Sequence, residues 1–415
     1  MFRVLLLVAL VAAASAASSP HAEFVLSQFK HDSSVKSSQL EDALLDVPGL
    51  LKKYEYPVEV HTVVTSDRYV LTVHRIPHGR DRNNQPDQRR PAVLLMHGLL
   101  SSSADYIILG PERALAYQLA EEGYDVWLGN ARGNFYSRNH LKYNPDNQFS
   151  GFWKFSWDEI GNYDLPAIVD HILATTGQQK IHYVGHSQGG TAFLVLNSLR
   201  PEYNDKFISF QGLAPASFFN NNDHSMLNKL APMESALESV AFAVGIAEVF
   251  GDRQFLDWLQ SRICRFESLF SGLCNSVLLG GSSSYYNESL PVILGHVPAG
   301  ASIRQFAHFG QGFSSNSFRR YNFNPLVNIA RYGSRTPPRY DLSRITVPSY
   351  IFYTNNDVLV HPKDVGILID SLSNVAGVHL VEEDDFDHVG FIWHSSAKSL
   401  VYDHVVEKMK EAEDL

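Results

Sequence analysis

The sequence predicts an α/β fold in which a mainly parallel sheet is flanked by helices and interrupted by one largely helical insertion. Three features carry that prediction. Short apolar runs end abruptly at glycine or polar residues, these runs alternate with helical segments in both the first and last parts of the chain, and the alternation stops between about 216 and 340.

Met1-Phe2-Arg3 followed by the apolar run Val4 to Ala14 has the charge and length of a signal peptide, with Ala14-Ser15-Ala16 as its cleavage pattern. Residues 1–16 are therefore expected to be removed, leaving a mature chain that begins near Ala17. A polar stretch runs to about Gln39. Val58 to Val73 alternates around Ser66-Asp67 and predicts a hairpin at a sheet edge. Arg80 to Arg90 is a solvated loop. Pro91 to Met96 is a continuous apolar run ending at His97-Gly98, as a strand buried on both faces should read. A helix over 112–122, a strand over 125–128 and a polar turn over 129–133 follow. The next helix is predicted at 164–176, with Leu165, Ile168, Val169 and Ile172 on one face, then a strand over 180–184 and a helix over 188–199.

The core is thus expected to comprise 17–215 and 341–415, with 216–340 as a cap. Within the cap, Met233 to Leu259 has an amphipathic pattern that fits a mobile lid and a packed helix equally well. Alternation resumes with a strand over 347–353, a helix over 362–373, a strand over 378–381 and a closing helix over 396–409.

A chain of 415 residues, 45% of them hydrophobic and 19% charged, can bury a large core. Its formal net charge of -10, with no basic stripe, argues against nucleic acid as a partner. After removal of the leader, no segment reads as transmembrane. Cys264 and Cys274 are the only cysteines. In an oxidising compartment they are expected to form a disulfide worth about 2–4 kcal/mol, the alternative being two buried thiols. Asn287-Glu288-Ser289 is a glycosylation sequon compatible with the same compartment. Neither a metal-binding motif nor a phosphate loop occurs, so no metal and no cofactor is expected.

The chemistry centres on Gly185-His186-Ser187-Gln188-Gly189. A serine hydroxyl needs a base, and a sharp strand-to-helix turn exposes it only where its neighbours are small. A bare G-x-S-x-G arises by chance in roughly one chain in seven of this length. Placement after an apolar strand and before a helix is what marks Ser187 as a nucleophile rather than a turn serine. The acid and then the histidine should follow at the ends of later strands, which selects Asp357 and His388 over Asp364, Asp385, Asp387, His361 and His394. His388 would take the Ser187 proton while Asp357 orients its ring. The oxyanion donors would be the backbone N–H groups of Gln188 and Leu99, unless His97-Gly98 simply marks a tight turn.

Several stretches together resemble the acid lipase family, which includes gastric and lysosomal acid lipases and insect relatives. They are Met96-His97-Gly98-Leu99-Leu100, the run from Gly123 to Gly133, Phe155-Ser156-Trp157-Asp158-Glu159, Tyr163-Asp164-Leu165-Pro166-Ala167 and the Ser187 motif. Ala214-Pro215, Pro298-Ala299-Gly300 and Asn356-Asp357 complete the set. The resemblance implies an α/β-hydrolase core with a cap and lid over an apolar acyl-binding cleft, and the same Ser187, Asp357, His388 triad with donors at Leu99 and Gln188. It also implies a secreted (extracellular or gut-lumen) or lysosomal lipase acting on triacylglycerols or cholesteryl esters at an emulsion, micelle or membrane surface. A general carboxylesterase, an acyltransferase and a non-catalytic lipid-binding or storage protein are the competing expectations. Ser66-Asp67-Arg68 departs from the family's usual glycine-ended turn, and Ser101 stands where an aspartate is common.

Overall fold

The computed structural model describes residues 22–30, 32, 34–80, 90–221, 234–250 and 288–414. The expected leader (1–16), the expected Cys264–Cys274 disulfide and the sequon at Asn287 lie outside the described residues.

Eight strands form the main sheet: β1 (Glu59–Val64), β2 (Val70–Ile76), β3 (Ala92–Met96), β4 (Asp125–Leu128), β5 (Ile181–His186), β6 (Phe207–Leu213), β9 (Ser349–Thr354) and β10 (Val375–Val381). Two further strands, β7 (Glu248–Val249) and β8 (Ala301–Ser302), pair antiparallel with each other between β6 and β9 in sequence. The main sheet has the order β1-β2-β4-β3-β5-β6-β9-β10, antiparallel through β1, β2 and β4 and parallel from β4 onward.

β3 shows why the sheet is buried on both sides. Val93 and Leu95 belong to one core cluster, together with Leu115, Val405 and Met409. Ala92, Leu94 and Met96 belong to the opposite cluster, with Ile168, Phe193 and Leu368. Successive side chains of a strand point to opposite faces, so an all-apolar run requires helices on both.

Twelve α-helices of seven or more residues surround the strands among the described residues: α1 (Ala22–Phe29), α2 (Ser37–Leu44), α3 (Val47–Lys53), α4 (Leu115–Glu121), α5 (Leu165–Thr176), α6 (Gln188–Leu199), α7 (Glu234–Ala243), α8 (Leu290–His296), α9 (Ile303–Ser315), α10 (Pro325–Tyr332), α11 (Pro362–Ser371) and α12 (Asp403–Glu413). α4 and α12 cover one face of the sheet, α5, α6 and α11 the other.

Several expectations need correction. β6 was not anticipated, because Phe207-Ile-Ser-Phe-Gln-Gly-Leu213 interleaves polar residues that usually mark exposure. Here the polar members are buried, and Ser209 Oγ joins them: it meets His182 Nδ1 at 2.8 Å and accepts from Gln211 Nε2 at 3.1 Å. Helices α1 to α3 were also missed. They are short, and α3 depends on the Asp46 carboxylate accepting from Gly49 N at 2.8 Å rather than on a long apolar stripe.

The continuous helix expected over 233–259 does not form. α7 ends at Ala243, Gly245 adopts φ 78°, and the chain enters β7. Nor does the amphipathic pattern hold through α7 and just beyond it: the apolar Val240 and Val244 are 61% and 62% exposed, whereas the acidic Glu238 is 9% exposed. Arg304 Nε reaches Glu238 at 2.6 Å and the Tyr321 hydroxyl donates to the same carboxylate. A buried charge held on two sides outweighs the apolar pattern here.

Candidate active site

Ser187 occupies the single residue between β5 and α6, with φ 50° and ψ −115°. That conformation is strained for any residue with a Cβ and costs on the order of 1–3 kcal/mol. The surroundings enforce it. Ser187 N donates to Leu213 O at 2.9 Å, and Ser187 O accepts from Thr191 N at 3.1 Å and Ala216 N at 3.4 Å. The flanking glycines leave room for the turn. A Cβ at Gly189 would collide with the Met96 carbonyl oxygen, and one at Gly190 would lie 2.5 Å from Pro215 Cβ.

Asp357 follows β9 and His388 follows β10, as the chain order requires. His388 Nδ1 donates to Asp357 Oδ2 at 2.7 Å, and each residue is 4% exposed. Burial opposes charge on the imidazole, but the Asp357 carboxylate beside it, with Asp387 further off, outweighs that effect and holds the His388 pKa above its ordinary value. The rival residues are engaged elsewhere. Asp364 accepts from Asn220 N and Asn221 N, Asp385 pairs with His394 at 3.1 Å, Asp387 accepts from Gly390 N, and His361 caps α11.

The loop after β3 lies against the serine. A Cβ at Gly98 would stand 3.3 Å from Ser187 Cβ and 3.2 Å from His186 Nδ1, tighter than ordinary van der Waals contact, so the glycine lets the loop lie close against the serine. His97 is buried and neutral. Burial takes its pKa down to about 4, its Nδ1 donates to Gly98 O at 2.7 Å, and its Nε2 accepts from Ala131 N at 3.1 Å. His97 therefore ties the loop to the 129–134 turn, beyond marking a tight corner. Leu100 has φ 65°, and its carbonyl accepts from Ala299 N at 2.6 Å. The Gln188 N–H opens α6, where backbone donors have no intrahelical partner.

Around this loop the apolar side chains of Leu99, Leu100, Val249, Phe250, Ala301 and Phe306 pack together, joining the loop after β3 to β7 and β8.

The residues 91–395 match the family described as alpha/beta hydrolase fold, and 47–110 match the partial alpha/beta-hydrolase lipase region. The chain is 43% identical to Lipase 1 of Drosophila melanogaster over 88% of its own length and 80% of the relative's. It is 38% identical to gastric triacylglycerol lipase of Bos taurus over 91% of this chain and 94% of that one. The chain belongs to the acid lipase family. Among solved structures, the DcsB complex with its substrate analogue shares the fold, at a TM-score of 0.53 and 11% identity over 86% of this chain and 100% of that one. As an acid lipase, the protein is an enzyme that hydrolyses carboxylic ester bonds. No helix among the described residues is long and apolar enough to cross a membrane.

Other residues of this acid lipase support the site without having been singled out in the sequence. Arg132 is fully buried, accepted by Asp164 Oδ1 at 2.7 Å and by both oxygens of Asp67 at 2.6 and 2.9 Å, with its guanidinium 3.9 Å from the Tyr69 ring centre. This anchors the 129–134 turn to the β1–β2 hairpin. Gln305, at the start of α9, donates from Nε2 to Gln188 Oε1 at 3.0 Å and accepts from Ser302 N at 2.9 Å. The Ser302-x-x-Gln305 spacing is a capping-box signature, so its local role was readable, but its contact with Gln188 was not. Asp105, one turn beyond the loop after β3, is buried with no hydrogen-bond partner for Oδ1 among the described residues, and burial raises its pKa to about 7.

Proposed function

We propose that the protein is a secretory-pathway lipase that cleaves esters of long-chain fatty acids in neutral lipids, triacylglycerols or cholesteryl esters, through an acyl-enzyme on Ser187. The observation that carries this reading is the Asp357–His388 pair, buried and hydrogen-bonded, at the ends of β9 and β10 in the chain order that the strained Ser187 turn demands.

In the reaction, His388 takes the hydroxyl proton as Ser187 Oγ attacks the ester carbonyl, and Asp357 stabilises the resulting imidazolium. The N–H groups of Leu99 and Gln188 receive the oxyanion of the tetrahedral intermediate. Collapse expels the alcohol, protonated by His388, and water then releases the fatty acid by the same steps in reverse order. No cofactor is needed.

The apolar group around Leu100 and Phe250, packed beside the loop after β3, favours an apolar acyl chain over a polar group as its neighbour, since each methylene buried would stabilise by about 0.8 kcal/mol. The names of the relatives point to triacylglycerol, and the segment 216–340 would serve as cap over a lipid drawn from an emulsion, micelle or membrane surface. A leader at 1–16, a disulfide between Cys264 and Cys274 and glycosylation at Asn287 fit an extracellular or lysosomal destination.

The deciding experiment compares the purified enzyme with Ser187→Ala on emulsified long-chain triacylglycerol, cholesteryl ester and a short soluble ester across pH 4–8. Loss of all three activities in the variant is expected, with the parent preferring lipid. Undiminished hydrolysis by the variant sinks the nucleophile assignment, and preference for the soluble ester moves the protein to the general esterases.

A further inference from the structure

His186 precedes the nucleophile, and its ring touches each moving part of the site. Its Nε2 donates to the main-chain carbonyl of His388 at 2.9 Å, and the two imidazole centres lie 5.0 Å apart. On its other side Nδ1 faces Gly98, close enough that a Cβ there would stand 3.2 Å away. The next residue in the chain is Ser187 itself. A carbonyl can only accept, so the proton of the neutral ring resides on Nε2 and Nδ1 carries none. Consistently, Nδ1 has no hydrogen-bond partner among the described residues.

We propose that His186 is a positioning residue for catalysis: its Nε2–H holds the backbone of His388 in register with Ser187, while its bare Nδ1 edge sets the distance of the Gly98 loop. The inference rests on the proposed roles of Ser187 and His388. It gives the residue before the serine a task that the strand-turn-helix motif by itself does not require, since any buried side chain would fill space.

The ring is suited to that task in acid as well as neutral solution. Burial, with His388 and His97 nearby, brings its pKa down to about 3, so the Nε2–H donor persists unchanged without adding a second positive charge beside the catalytic imidazole. The charged groups facing the pair are Asp357, which bonds His388 directly, and Asp387 on the same loop.

The test compares His186→Phe, His186→Gln and His186→Asn in the full-length enzyme, with active sites counted by fluorophosphonate titration of Ser187 and turnover followed on a short soluble ester. A glutamine amide can place a donor near the position of Nε2, and the shorter asparagine cannot. Per titrated site, His186→Phe is expected to lower kcat about 10- to 100-fold with KM nearly unchanged. The acid-side midpoint should also fall by about half a pH unit, because a loosened His388 loses part of its support from Asp357. His186→Gln should recover most of the rate and His186→Asn little of it.

A space-filling role alone would reduce the number of titratable sites and leave kcat per site and the midpoint at parental values. That outcome overturns the proposal. If the phenylalanine variant does not fold, equal kcat per site in the Gln and Asn variants overturns it instead. Failure of the parent to be labelled at Ser187 would strike the nucleophile assignment, a separate result.

Discussion

Asp357 engages two structures at once: Oδ2 accepts from His388 Nδ1 at 2.7 Å, while Oδ1 accepts from Leu359 N and Val360 N, each at 2.8 Å. The loop that presents the carboxylate therefore also fixes which oxygen remains for the histidine.

Asp357→Asn separates these two tasks. Its amide oxygen can keep the loop contacts, but the amide nitrogen then faces His388 Nδ1 as a donor and forces the proton onto Nε2, where the base should be free. The expected loss in kcat is on the order of 10⁴-fold, with a melting temperature close to the parent's. Activity within tenfold of the parent would remove Asp357 from the triad.

His388 must be neutral to accept the serine proton, and Asp357 holds its pKa above the ordinary histidine value. For a soluble ester, kcat/KM of the free enzyme is therefore expected to fall as pH drops, with its midpoint above about 6.5. A midpoint below 6 contradicts this. Acid-shifted activity on emulsified lipid with an unshifted soluble-ester profile would locate any acid preference in the lipid complex rather than in the free triad.

Asp105 predicts a pH effect on stability. Its carboxyl is protonated more readily folded than unfolded, so its contribution is most favourable below about pH 4 and is lost as pH rises to about 7. Asp105→Asn cannot ionise, and should be more stable than the parent by about 2–4 kcal/mol at pH 8 and nearly equal to it at pH 4. Denaturant melts at the two pH values measure the difference. A uniform effect at both would show that the carboxyl does not titrate in this range.

Arg68 sits in the β1–β2 turn at φ 77° with an exposed side chain. Arg68→Gly should raise stability by about 0.5–1 kcal/mol by relieving left-handed strain, and leave Asp67 in place to pair with Arg132. A fall in melting temperature would mean that the arginine side chain makes a compensating contact.

The sequence conveyed the sheet most plainly where a strand is uniformly apolar, as in β3, because double-sided burial there leaves no polar position. It concealed β6, whose buried Ser209 bonds both Gln211 Nε2 and His182 of the neighbouring strand, a cross-strand arrangement with no local signature. At the site, Ser187, Asp357 and His388 were legible because chain order constrains them. The supporting contacts of His186, Gln305 and Arg132 join positions far apart in sequence, where spacing carries no information. The amphipathic reading of 233–259 failed for a related reason, since Glu238 is buried by partners from beyond residue 300 that a local pattern cannot see.

Ala299 N bonded to Leu100 O, Phe135 N bonded to Ala299 O and Gln305 bonded to Gln188 tie residues 299–305 to the loop after β3, to the turn after β4 and to the start of α6. For protein engineering, this moves the seam of the insert. Exchanging the proposed cap between relatives at 216 and 340 would carry away these supports of the loop after β3 with it. A chimera that keeps 299–305 with the recipient core, and exchanges only the segment before it, preserves those three contacts and leaves the donor free to alter which lipid is admitted.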